Sequence, residues 1–284
     1  MLKLALKISF TVLALWIVLI RVDVLTLWGQ IKAVPPFALL LAWLSLVLSQ
    51  VVSALRMQYY FARAGFALRT YFCVAIYFSG ALVNLVLPGG ISGDGYKALF
   101  LKKHKEIPAW KALRLILSER ANGLFFLLLL AIIFLGVSGE LPKKISDANI
   151  LLLVAALVLV AGYIFFARIV LKENLNALPG ACKYSLISQT LVAFCAYMIF
   201  SALGLQNLMA SYLAIFMISN VIAILPVSIG GAGLREIVFY YGALWFGLSV
   251  EQAVAGSLTF FGLHVLTSLT GLLFIHRLKD LAAE

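Results

Sequence analysis

Apolar residues run along this chain in blocks of about twenty, parted by short polar clusters, and that alternation predicts helices that cross a membrane. A spanning helix needs ~20 predominantly apolar residues to cover ~30 Å of hydrocarbon. Blocks of that length lie at roughly 4–21, 36–55, 112–137, 150–171, 184–204 and 252–276, and Pro35-Pro36 opens the second as suits a helix start. Two further apolar stretches, about 70–88 and about 210–247, are interrupted. The first breaks at LPGGISGDGYK, Leu87 to Lys97, and the second at LPVSIGGAGLRE, Leu225 to Glu236. The two breaks align without a gap: Pro88 with Pro226, Gly93 with Gly231, Gly95 with Gly233, and Lys97 with Arg235. Each follows an asparagine, Asn84 or Asn220, in the preceding apolar run.

The charged clusters orient these blocks. Arg56, Arg63 and Arg69 crowd one connection without an acid, which places it on the cytoplasmic side together with Lys3, Lys7 and the N-terminus. Lys102, Lys103, His104, Lys105 and Lys111 form the most basic connection. A full crossing by 70–88 would put that cluster outside, so the reading is a re-entrant hairpin that turns back at the break. Its return arm, about Asp94 to Leu101, rises only ~12 Å. The connection with Glu140, Lys143, Lys144 and Asp147 is balanced and falls outside; the one with Arg168, Lys172, Glu173 and Lys183 falls inside. His276, Arg277 and Lys279 keep the C-terminus inside. The fold class is then an all-α polytopic membrane protein, one integral membrane domain over 1–284. Its pseudo-repeat halves, about 1–137 and 138–284, are inverted, each with about three spanning helices and one re-entrant broken hairpin, an arrangement shared by many secondary transporters.

Composition agrees with the pattern. The 284 residues are 64% hydrophobic and 12% charged, with a mean hydropathy of +1.09, outside the balance of a soluble domain. The net charge of +11 sits in short connections, so it reads as topology and as attraction to anionic headgroups rather than to nucleic acid. Lys3 and Lys7 ahead of an apolar run resemble a signal sequence, but Arg21-Val-Asp23 stands where small residues would mark cleavage, so the segment stays as the first span. Cys73, Cys182 and Cys195 lie in or beside apolar blocks without a CxxC pair. There is no GxSxG, HExxH or P-loop, so no enzyme class and no cofactor or metal is called for.

The breaks carry the candidate chemistry. A helix N-terminus presents backbone N–H groups without partners and roughly half a positive charge, and both return arms begin there with a cation in their first turns. This combination suits a phosphate-type headgroup. The headgroup-binding set is Lys97, Arg235 and Arg120 with Gly93, Gly95, Gly231 and Gly233; the gating or charge-partner set is Asp94, Glu119, Glu236, Asn84 and Asn220. A structural reading stands beside it: Asp94 capping the return helix, glycines serving close packing, and Lys97 snorkelling to the surface. Adjacent Glu119 and Arg120 in LSERANG point about 100° apart on a helix, so each needs a separate partner. Lys97 or Arg235 would serve Glu119, and Asp94 or Glu236 would serve Arg120. His264, alone in the last span, reads first as a packing residue.

With these motifs in place, the chain resembles the UPF0104 family, the lysylphosphatidylglycerol synthase transmembrane or flippase-like domain. The resemblance rests on Pro88, Gly93, Asp94 and Lys97, on Glu119 and Arg120, and on Pro226, Ser228, Gly230, Gly231, Gly233, Arg235 and Glu236. Lys97 stands where many relatives carry arginine. The resemblance implies movement of a lipid or lipid-linked intermediate between the leaflets of a bacterial or archaeal cytoplasmic membrane, by a stand-alone member without the aminoacyltransferase domain. The implied partners are membrane lipids with anionic headgroups and envelope-lipid biosynthetic enzymes. The expected activity is a flippase for an anionic phospholipid or polyprenyl-phosphate-linked lipid. A transporter of a small anionic solute and a membrane-embedded transferase remain the alternatives.

Overall fold

Every regular element among the described residues is a helix, as the apolar blocks require. The computed structural model of the chain describes residues 2–87, 92–139, 145–170, 172–225, 228 and 230–283. Pro88 and Pro226 of the two aligned breaks, and Glu140, Lys143 and Lys144 of the balanced connection, lie outside the described residues. In chain order the helices are α1 (Leu2–Leu19), α2 (Val24–Ala33), α3 (Pro36–Arg63), α4 (Thr70–Val86), α5 (Ser92–Lys105), α6 (Ala109–Ser138) and α7 (Ala148–Val170). They continue with α8 (Leu178–Ala202), α9 (Met209–Ile222), α10 (Leu234–Phe246), α11 (Val250–Leu269), α12 (Leu272–Ile275) and α13 (Leu278–Ala283).

Among the described residues, five helical segments are long and apolar enough to cross a membrane: Pro36–Arg63, Ala109–Ser138, Ala148–Val170, Leu175–Ala202 and Val250–Ile275. Counting the bent pair Thr11–Leu19 and Val24–Ala33 makes six. The chain is therefore a multi-pass membrane protein. That bent pair departs from the expected single span at 4–21. The chain turns by 97° between its two helices because Asp23 caps a second helix, accepting from the Leu25 amide at 3.0 Å. Leu27 tucks inward from α2 while Leu25 and Trp28 stay exposed.

Helix α3 is eight residues longer than the block 36–55 that predicts it. Arg56 consequently belongs to the helix and is buried, not part of a charged cytoplasmic connection. Its inward position needs a partner, and the structure supplies one below.

Both interrupted segments double back. In the first, contacts nest around the break: Gly93 against Asn84, Lys97 against Gly80, and the Phe72 and Phe100 rings 6.3 Å apart. In the second, Gly231 lies against Ala223 and Gly242 against Ile215. The first return arm has 14 residues, ~21 Å of rise, longer than the Asp94-to-Leu101 arm expected. Glycine permits the close approach: a Cβ on Gly93 would sit 2.1 Å from the Gly80 carbonyl oxygen, and one on Gly233 would sit 2.6 Å from the Ala14 Cβ, where φ is +82°.

Helices α3 and α8 form the most extensive pair. Around them the partners exchange between halves. Helix α6 packs on α5, α9 and α8, and α11 packs on α10, α4 and α3. Ser53 and Ser188 hydroxyls meet at 2.8 Å on the α3–α8 seam; small residues there let the backbones approach. One buried cluster includes Met57, Phe61, Ile76 and Leu101, and another Ile199, Phe200, Phe216 and Phe239.

Candidate functional site

The hairpins, α6 and the α3–α8 pair enclose a cavity of about 600 Å³. Its apolar wall includes Leu46, Leu124, Leu127 and Val192, and its polar wall includes Arg56, Lys97, Glu119, Arg120, Asn220 and Arg235. Leu117, Ile224 and Leu225 line it while remaining well exposed, so the cavity has an apolar opening. Cations this far inside apolar helices are costly unless paired. Three of the four are paired.

Glu119 is the eleventh residue of α6, ~15 Å from the start of that helix. Its carboxylate accepts from Arg56 Nε at 3.0 Å and from Nη2, and from the Tyr77 hydroxyl at 3.3 Å. Arg56 Nη1 donates to the Ser185 hydroxyl at 2.6 Å. Gly123 makes this possible, since a Cβ there would stand 3.2 Å from the guanidinium. Sequence reasoning assigned Glu119 to Lys97 or Arg235; the structure gives it to Arg56 instead. The physical reason is the extra length of α3, which carries Arg56 to the level of Glu119. Arg56, Tyr77 and Ser185 are thus polar members that the linear pattern missed, and the signal available was an arginine lying on the helical continuation of an apolar block.

Asp94 is fully buried in the first turn of α5. It pairs with Lys97 at 2.9 Å and with Arg120 on α6. Adjacent Glu119 and Arg120 do therefore serve two partners on different helices. Lys97 does not snorkel: it is 4% exposed, its stem runs along Gly80, and its ammonium lies 4.6 Å from the Tyr77 ring centre. Such a cation–π contact offsets part of the desolvation cost.

Arg235 differs. It is 6% exposed, its Nε and Nη1 have no hydrogen-bond partner, and its guanidinium stands 4.9 Å from the Phe260 ring. Glu236, offered by the sequence as a partner for Arg120, is bound to neither arginine by an ion pair among the described contacts. One carboxylate oxygen of Glu236 accepts from the Gly233 amide at 2.6 Å and the other from the Ser257 hydroxyl at 2.8 Å. A glutamate three residues into a helix reaches back to its entry amide in this way, so local geometry removes it from service to Arg235.

The glycines and asparagines divide likewise. Gly231 lines the cavity beside Gly230, whereas Gly93, Gly95 and Gly233 do not. The Gly93 amide donates to Asn84 at 2.7 Å and the Gly233 amide to Glu236, so neither N–H is open to a headgroup. Nothing lies within 4 Å of the Cβ position of Gly95. Asn84 and Asn220 line the cavity but bond backbone rather than charge; Asn220 donates to the Phe216 carbonyl at 2.9 Å. His264 also reaches the wall, stacked on Phe260 with ring centres 6.2 Å apart.

The sequence profile of the lysylphosphatidylglycerol synthase TM region matches residues 4–179 and 171–271. The chain belongs to that family. No curated protein matches it. The match runs through both hairpins, α6 and α11, and so through every cavity cation described above. Membership makes this a membrane protein of the lysylphosphatidylglycerol synthase and flippase family.

Proposed function

We propose that this family member is a lipid translocase, carrying a phosphate-bearing headgroup through the cavity while its tails remain in hydrocarbon. The observation that carries the reading is Arg235, a buried guanidinium with two unpartnered nitrogens on the wall that also bears Lys97 and Arg120. A guanidinium fork matches two phosphate oxygens, and a buried charge left without a partner is retained against stability for a reason. The apolar opening at Leu117, Ile224 and Leu225 suits a ligand whose other end is a chain.

Asp94 then acts as a stand-in anion. It holds Lys97 and Arg120 when no headgroup is bound and competes for them when one is, which keeps binding reversible. In this reading the two hairpins are re-entrant and run in opposite senses in the cytoplasmic membrane. Both termini, and the Lys102–Lys105 cluster at the end of α5, face the cytoplasm. This reading assigns the protein no chemical reaction on the lipid.

The test is reconstitution in phosphatidylcholine vesicles with a trace of head-labelled phosphatidylglycerol, followed by loss of fluorescence to a reductant that cannot cross. Wild-type protein should expose the inner-leaflet label, and Arg235→Ala and Lys97→Ala should each slow this at least tenfold. Wild-type rates in both variants would sink the mechanism.

A further inference from the structure

The charges of the cavity are unequal in number and in how far each is already engaged. Four cations line it, Arg56, Lys97, Arg120 and Arg235, against one carboxylate, Glu119. Two further carboxylates, Asp94 and Glu236, are buried beside Lys97 and Arg235 without reaching the wall. Counting all three acids still leaves one cation in excess. The remaining titratable side chains on the wall are Tyr77 and His264, and neither offers an anion to a ligand.

Availability matters more than the total. The Glu119 carboxylate takes Arg56 and Tyr77; Asp94 takes Lys97 and Arg120; Glu236 takes the Gly233 amide and Ser257. Each of these carboxylates already holds a cation or a hydrogen-bond donor, and on Glu119 the donors converge on one oxygen, Oε1, so an ammonium entering the cavity would share that carboxylate with Arg56. Among the described charged groups on the wall, Arg235 has two nitrogens without a hydrogen-bond partner, and its charge repels an ammonium. A headgroup with a primary amine would have to break a buried ion pair, whereas an oxyanion meets a donor already desolvated and waiting.

We infer that this chain selects headgroups whose net charge is negative, of the phosphate-oxyanion class, and rejects the aminoacylated, net-cationic form of the lipid named in its family's title. This selectivity rests on the proposed translocase reading for its biological sense, but it is a property of binding and is measured separately. The shared chemistry also describes a soluble phosphate ester, so the experiment separates the two sources.

The experiment incorporates the full chain into nanodiscs with equal mole fractions of phosphatidylglycerol, phosphatidic acid, phosphatidylethanolamine and lysyl-phosphatidylglycerol, and counts retained lipids by native mass spectrometry. Phosphatidylglycerol and phosphatidic acid should be retained at least tenfold over the two amine-bearing lipids. Arg235→Met should reduce that preference to less than threefold. Removal of an unpaired buried charge should not unfold the protein, and circular dichroism checks this. Equal or greater retention of lysyl-phosphatidylglycerol by the wild type overturns the inference, as does retention of none of the four lipids. Glycerol 3-phosphate titrated into the same sample should displace lipid only at concentrations at least a hundredfold higher. Displacement at equal concentration would assign the site to a solute, ending the translocase reading while leaving the charge selectivity in place. Anionic retention without vesicle translocation would separate the two in the same way.

Discussion

Replacing Glu119 by alanine tests whether the buried ion pair, rather than the lipid, holds α3 to α6. The change deletes the acceptor for Arg56 Nε and Nη2 and for the Tyr77 hydroxyl. Arg56 remains 4% exposed, with the Ser185 hydroxyl at 2.6 Å as its surviving acceptor. Stranding one member of a buried pair costs roughly 3–5 kcal/mol. At roughly 2–4 °C per kcal/mol, the melting midpoint falls by roughly 6 °C or more. The double variant Arg56→Leu/Glu119→Leu removes both charges together. It should recover most of that loss, because the desolvation of two ions disappears along with their attraction. The assay is thermal unfolding in detergent, read by the fraction remaining monodisperse on size exclusion, for the wild type and the single and double variants. An unshifted midpoint for Glu119→Ala, or a double variant less stable than the single one, would refute the argument and leave Glu119 with the gating role the sequence offered.

Three further outcomes follow from the same contacts. Gly93→Ala should abolish stable expression, since its Cβ would stand 2.1 Å from the Gly80 carbonyl oxygen, whereas Gly95→Ala meets open space and should match or exceed wild-type stability by up to about 1 kcal/mol; expression and melting of the pair check this. Arg235→Met should raise the melting midpoint while cutting the preference for phosphatidylglycerol to less than threefold, because a costly unpaired charge is replaced by an apolar chain of similar length; a lower midpoint with the preference intact would contradict it. Asp94→Asn weakens the internal competitor for Lys97 and Arg120, so retention of phosphatidic acid should increase severalfold and vesicle translocation should slow, as both assays together would show.

The membrane class, the approximate helix positions and the family were legible along the chain, because a bilayer imposes its thickness on apolar run length and that constraint is local. The aligned breaks at Leu87 to Lys97 and Leu225 to Glu236 were equally legible, since glycine and charge within apolar sequence stand out without reference to any neighbour. Pairing was not. The partner of Glu119 lies 63 residues away on α3, and nothing in the linear order distinguishes Arg56 from Arg63 or Arg69 until the helix is known to continue through it. Matched positions in the two motifs also concealed unlike roles: Lys97 is held by Asp94 three residues before it, while Arg235 has no ion-pair partner among the described residues because Glu236 turns back to its own helix entry. Period and composition decide which segments are buried. Which buried charge meets which depends on axial level and facing direction across several helices, and those distances exist only once the helices have packed.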